Sequence, residues 1–157
     1  MPWSADDFPL LVRLNAPEMT EHLGGPESEE QLELRHWRYV AASGFGIFKA
    51  IVEPEGVDVG SVNFWDREWE GEQVYEMGWS VVPEFQGRGI ASAMVGQAVQ
   101  IARATGRRRA VHAFPSVDNA PSNAICLKAG FVLLGEVRLS IRRGIWMKCN
   151  DWRLLLG

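Results

Sequence analysis

The sequence predicts one domain of the α+β (mixed α/β) class, built on a single sheet. Three observations lead there. A length of 157 residues suits one domain of the commonest size. Strand-like runs joined by turn signals come before any strand–helix alternation. A strand–helix–strand–helix passage then follows and a hairpin closes the chain, which is not the regular alternation of a doubly wound sheet.

Ser4 caps a first helix, with acids in its opening turn, that runs towards Leu14. A short helical piece from about Glu18 to Leu23 ends at Gly24-Gly25. "PESEEQLELRHWRYVAAS" places Pro26 and acids at a helix start, with Ser28 and Gln31 at capping-box spacing. Leu32, His36 and Tyr39 or Val40 share its buried face. From Gly44 the chain turns β-rich: "GFGIFKAIVEP", the turn "EPEG" and "VDVGSVNFW" read as two strands, and "DREWEGE" as a polar connection. "QVYEMGWSVV" is a third strand, stopped by Pro83. Ile90, Met94, Val95, Ala98, Ile101 and Ala102 recur at helical spacing, and Gly106 ends that helix. "RAVHAFP" is a strand and "NAPSNAICLKAG" a short helix closed by Gly130. "FVLLGEVRLSI", the turn "RRG" and "IWMKCNDWRLLL" form the terminal hairpin. No repeat, low-complexity tract or linker interrupts this order, so residues 1–157 read as one domain.

Composition narrows the function. The chain is 46% hydrophobic and 23% charged with a net charge of -4, and its Lys and Arg residues form no long stripe. A nucleic-acid groove is therefore not expected. The one basic run, Arg107-Arg108-Arg109, reads as a solvated connector or as a contact for a polyphosphate tail. Cys126 and Cys149, the only cysteines, have neither metal-ligand spacing nor a disulfide framework, so no metal site is expected. The N-terminus lacks a signal peptide's basic start and apolar run, and no stretch is long enough to cross a membrane. A reducing cytoplasm is the expected location. Seven tryptophans are many for this length, and some are expected to line a pocket.

"VVPEFQGRGIASAM" carries the chemistry. A nucleotide P-loop needs G-x-x-x-x-G-K-[ST], and no lysine follows these glycines. A Rossmann loop needs a third glycine where Ser92 stands, and a ribose-binding acid that is missing. What remains is a pyrophosphate cradle, in which the N–H groups of residues 87 to 91 curl around an anion at a helix start, or a strand-to-helix turn with no ligand.

"QGRGIA" matches the Q/R-x-x-G-x-G/A signature of the GNAT superfamily of N-acetyltransferases, with Gln86, Gly89 and Ala91 in the signature places. "NAPSNAICLKAGF" resembles the superfamily's second landmark, with Asn119, Ser122 and Gly130-Phe131. "HLGGPESEEQL", "VYEMGWSVVPEFQGRGIA" and "NDWRLLL" look like the branch of Rim-type ribosomal-protein N-terminal acetyltransferases. That branch usually opens with a strand ahead of its first helix. Here only Met1-Pro2-Trp3 stand there, so the sheet lacks that edge strand or a partner covers the edge.

The resemblance implies a mostly antiparallel central sheet, splayed at the cofactor site, with helices on both faces. It implies acetyl-CoA as co-substrate. The pyrophosphate would sit on Gly87, Arg88, Gly89, Ile90, Ala91 and Ser92 beside Gln86. The pantetheine would pair with Trp79-Ser80-Val81, and Asn119 would bond the cofactor near its thiol end. Transfer by direct attack needs an N–H near Val81 or Val82 for the oxyanion and a general base for the amine. Glu76 is the preferred base, its carboxylate shielded by Trp79; a cross-strand or solvent-facing charge is the alternative. Some superfamily members place a base where Phe114 stands, which closes that route, and His112 is either another base or a hydrogen-bonded strand histidine. Where many members carry a tyrosine acid, this chain has Cys126, a proton donor or a small core residue. Ser122 is a second candidate acid, or a helix cap.

The expected function is acetyl transfer from acetyl-CoA to a primary amine. A non-catalytic acyl-CoA-binding module and, on the weak Rossmann match, a dinucleotide enzyme are the competing readings. The amine acceptor is a small molecule or a peptide, held by the early helices, the hairpin and the "FWDREWEGE" stretch. Trp65, Asp66, Glu68, Trp69 and Glu70 make that stretch acidic and aromatic, which suits a cation. No nucleic acid or membrane is expected as partner, and a homodimer is an option.

Overall fold

The computed structural model describes residues 1–42 and 46–157. Gly44, where the β-rich stretch is expected to begin, lies outside them; the first strand described, β1, spans Ile47–Val52. Helices α1 (Phe8–Leu14), α2 (Pro17–Thr20) and α3 (Glu29–Ala41) precede it. Strands β2 (Val57–Trp69) and β3 (Glu72–Val81), helix α4 (Ile90–Thr105), strand β4 (Ala110–Ala113), helix α5 (Ala120–Lys128), and strands β5 (Val132–Arg142) and β6 (Ile145–Leu155) follow. Their order in the sheet is β1-β2-β3-β4-β6-β5, and only the β3–β4 pairing is parallel.

The helix starts are written in local chemistry. Ser4 and Asp7 form a capping box around a short 3-10 turn that feeds α1, and Ser28 and Gln31 form another at α3. Each box satisfies N–H groups that a helix start leaves unpaired. One core packs α1 and α3 on β1 and β2 through Leu10, Leu11, Leu14, Leu32, Ile47 and Val59. A second packs α4 and α5 on the rest of the sheet through Phe64, Tyr75, Met77, Val95, Val111 and Trp152. Within α4, Ile101 is exposed and Val99 turns inward in its place, four residues on from Val95 and one from Ala98.

Two expectations change. "DREWEGE" is not a connection. Strand β2 continues to Trp69, and Glu70 and Gly71, with φ of 50° and 81°, make a two-residue hairpin turn into β3. Charged side chains on a half-exposed ribbon hide the strand period that apolar alternation would reveal. The free edge of β1 is also not bare: Lys49 N–H donates to Met1 O at 2.8 Å, Trp3 N–H donates to Ile47 O at 3.2 Å, and Pro2 bridges Phe48. Three residues suffice to occupy that edge.

Candidate active site

Helix α4 begins unlike α3. Gly87 and Gly89 have φ of 76° and 79°, the left-handed region open to glycine, and a Cβ built on either would meet nothing within 4 Å. The glycines therefore serve the backbone path and leave open space above it. No side chain caps the Gly89 end of α4, and its first turn holds no acid. A sixteen-residue helix thus presents its N–H groups and dipole end to a concavity, a fit for a diphosphate. Gln86 and Arg88 brace the loop rather than point free. Gln86 Nε2 donates to Val81 O at 2.9 Å, and Arg88 donates to Glu84 O at 3.1 Å while its guanidinium lies over Phe85.

Strand β3 leads into this loop, and beside it the sheet opens. β3 pairs with β4 only at Tyr75–Val111 and Glu76–His112, whereas its pairing with β2 continues to Val81. From Met77 onward one edge of β3 is unpaired among the described residues. Val82 N–H donates to Val59 O at 2.8 Å, so it turns into the sheet and is not free for an oxyanion. Neighbouring residues of a strand face opposite edges, so Val81 and Trp79 turn their N–H groups to the gap. Val82 therefore drops out of the expected oxyanion site and Val81 stays. Trp79 is half-buried against the second core, and its Nε1 is buried without a partner among the described residues.

Glu76 stands at the vertex of the opening. Its side chain is 17% exposed and ion-pairs with Arg67 of β2. Burial raises its pKa above the usual carboxylate value, against the pull of Arg67 and His112. Arg67 is held in turn by the faces of Trp69 and Phe114, 5.2 Å from each ring centre. His112 is buried, with Nδ1 2.6 Å from Asp151 Oδ1, and it stacks on Phe114. Trp69 Nε1 donates to Asp151 Oδ2 at 3.1 Å. A carboxylate of raised pKa, at the last paired position before a strand edge opens and backed by a fixed cation, has the chemistry of a proton acceptor.

A family model described as the acetyltransferase (GNAT) domain matches residues 1–132. The chain belongs to the GNAT acetyltransferase family. That membership makes it an acyltransferase, and the solved structures agree on the fold. A GNAT-family acetyltransferase from Bacillus anthracis superposes with a TM-score of 0.80 at 19% identity, over 96% of this chain and 90% of that one. A ribosomal-protein-alanine N-acetyltransferase from Brucella melitensis gives 0.79 at 24%, over 99% and 98%. A phosphinothricin acetyltransferase from Sinorhizobium meliloti, solved with acetyl-CoA, gives 0.71 at 21%, over 96% and 85%. No curated protein matches the sequence.

In this GNAT domain the second landmark is built around α5. Asn119 is the helix cap: its Oδ1 accepts from Ser122 N–H at 3.2 Å. Ser122 lies in the first turn, part-exposed. Cys126 is fully buried in the second core, and burial pushes its thiol up to about 12. The packing role weighed for Cys126 is the one its surroundings support. Ile90, Ala91 and Ser92 form the opening turn of α4, and Ser80 lies on β3 facing the Glu76 side.

The "FWDREWEGE" stretch does not act as one acidic surface. Trp65 lies across from Glu76, and Arg67 and Trp69 share its face of β2, whereas Asp66 alternates to the other face and pairs with Arg107 and Arg108. The basic run is thereby a tether to Asp66. Arg67, Asp151 and Asn123 have no place in the expected site, yet all three organise it. Asn123 Nδ2 donates to Ser116 O and Asn119 O, and its Oδ1 accepts from Asn150 and Trp152, which ties α5 to β6. The repeated Asn in "NAPSN" and the "ND" of the last strand are the only signals, and neither names its partner. Among the described residues no group of His, Cys, Asp or Glu could hold a metal, and no helix is long and apolar enough to cross a membrane.

Proposed function

We propose that this domain transfers an acetyl group from acetyl-CoA to a primary amine by direct attack in a ternary complex. The observation that carries the proposal is the position of Glu76: a half-buried carboxylate of raised pKa at the vertex where β3 and β4 part, on the strand that leads to an uncapped helix N-terminus. The likeness to a phosphinothricin acetyltransferase solved with acetyl-CoA supports the donor.

When bound, acetyl-CoA supplies an activated thioester carbonyl. Gly87 to Ser92 would hold its diphosphate, and Trp79, Ser80 and Val81 its pantetheine arm. A groove of about 300 Å³ between α4 and α5, lined by Ser92, Gln100, Arg103 and Lys128, continues from that cradle and offers two cations to the nucleotide end. The Val81 N–H faces an oxyanion in the gap. Glu76 accepts the amine proton, directly or through water, and Arg67 favours its ionised form against the effect of burial. Asn119 orients the thiol end, and Ser122 is the proton donor in place of the core-bound Cys126.

The Rim-type ribosomal-protein branch is the one whose sequence pattern the chain shares, and the Brucella neighbour is of that kind. The acceptor is then a peptide or small-molecule amine met in the cytoplasm, by one domain spanning 1–157. One observation favours a second reading, an acyl-CoA-binding module without turnover: the residue standing where many relatives have a tyrosine acid is a buried thiol. Thiol release from acetyl-CoA across a panel of primary amines, with CoA binding followed by calorimetry, separates the two. Turnover of at least one amine supports transfer. CoA binding with no turnover of any amine supports the module.

A further inference from the structure

Where α3 meets the sheet, two buried polar atoms have no partner among the described residues: Asn63 Oδ1 and Arg35 Nε. Asn63 is 8% exposed and sits on β2 directly across from Gly78 of β3. It shares its face with Trp65, which lies across from Glu76. Asn63 Nδ2 lies 3.0 Å from the hydroxyl of Tyr39, on α3. Arg35 lies one helical turn before Tyr39, its guanidinium over the Tyr39 ring and 2.7 Å from Glu27. The two orphans thus flank one tyrosine, on the side of the sheet that carries the candidate base. The hairpin tip closes this corner, since Arg142 donates to Gly25 O and Pro26 O just ahead of Glu27.

A folded chain gains nothing by leaving such atoms unpaired, because an unmade buried hydrogen bond costs stability. Turning the Asn63 amide over does not remove the deficit. It lets the Tyr39 hydroxyl donate to Oδ1, which satisfies both groups, but it then leaves Nδ2 free. In that arrangement the corner holds two unused donors, Asn63 Nδ2 and the charged Arg35 Nε. Their complement is a group that only accepts and carries negative charge.

We infer that Arg35 and Asn63 form a specificity site for a carboxylate on the amine acceptor. Gly78 has no side chain, and among the described residues a Cβ built there would meet only the ring of Trp65, at 3.5 Å. A compact acceptor can therefore lie with its carboxylate at Arg35 and Asn63 and its amine towards Glu76. Asn63 and Glu76 are diagonal cross-strand neighbours, about 7 to 8 Å apart, a span that a small amino acid bridges between their side chains. This inference rests on the acetyltransferase reading for the direction in which the amine points.

The test uses the full chain saturated with CoA, in which no transfer can occur. Each of a panel of amino acids is titrated calorimetrically against its decarboxylated amine. At least one pair is expected to show tenfold or tighter binding of the carboxylate form. Arg35→Met and the double variant Asn63→Leu/Tyr39→Phe should abolish that preference while leaving CoA affinity unchanged. The double variant should also melt at or above the wild-type temperature, since it removes both an orphan and its partner. Equal binding throughout the panel, or a preference that survives both substitutions, overturns the inference. If the preference appears but no amine is ever acetylated, the reading of Glu76 as base fails and the carboxylate site stands.

Discussion

Asp7 and Glu76 are both shielded carboxylates paired with a cation, and their pKa values move in opposite directions. Asp7 is 1% exposed, and burial alone would raise it. It accepts from Ser4 N–H at 2.7 Å, Ser4 Oγ at 3.0 Å and Lys49 Nζ at 2.6 Å, and those bonds pull it below the ordinary value. Glu76 is burdened by burial too but has a single hydrogen-bond donor, Arg67, among the described residues, and burial wins. A carboxylate saturated with donors is a structural anchor; one left short of them, at an open strand edge, is poised to take a proton.

The largest test of that contrast is catalytic. Glu76→Gln should lower kcat by about a hundredfold to a thousandfold, the usual contribution of a general base, without lowering thermal stability. Removing a carboxylate whose ionised form is disfavoured by folding relieves a cost at neutral pH. Asp7→Asn should do the reverse, destabilising the fold by about 3 kcal/mol in chemical denaturation, because it leaves the largely buried Lys49 short of a partner, and sparing kcat in the folded fraction.

The pH dependence should separate in the same way. The folded pKa of Asp7 is depressed, so its stabilisation is present above the unfolded value of 3.8 and is lost as pH falls through the lower folded value. The folded pKa of Glu76 is raised, so kcat/KM should fall on acidification at a pH above 4.5, while the fold is still intact. Arg67→Gln removes a lowering influence and should move that acid limb to higher pH.

Two helix starts extend the comparison. Ser92→Glu gives α4 the acid that α3 already has. It should weaken CoA binding about thirtyfold by calorimetry, through repulsion of the diphosphate, with no loss of melting temperature. Ser28→Ala should cost the α3 end about 1 kcal/mol by denaturation and leave CoA binding unchanged.

Local chemistry was the legible part of this chain. The Ser28–Gln31 box and the Gly87 and Gly89 turn involve neighbours in sequence, so residue types and spacing suffice to read them; the α5 cap falls on Asn119, whereas the sequence offered Ser122 for that place. Glu76 was legible as a candidate base only through the strand it sits on. Its partner Arg67 was hidden inside "DREWEGE", since cross-strand pairing through a hairpin turn decides which charge it meets. Asp151 reaches His112 across 39 positions, and Asn63 meets Tyr39 across 24, separations at which no spacing rule operates. Cys126 could be read as acid or core, and only its packing against α4 and the sheet separates the two.

The most direct measurement of the central claim is amine-dependent thiol release from acetyl-CoA by the wild type and Glu76→Gln, each with its CoA affinity measured in parallel. Turnover that falls at least a hundredfold in the variant at unchanged CoA affinity is the expected result. Equal turnover by both proteins would contradict the assignment of Glu76 as the base.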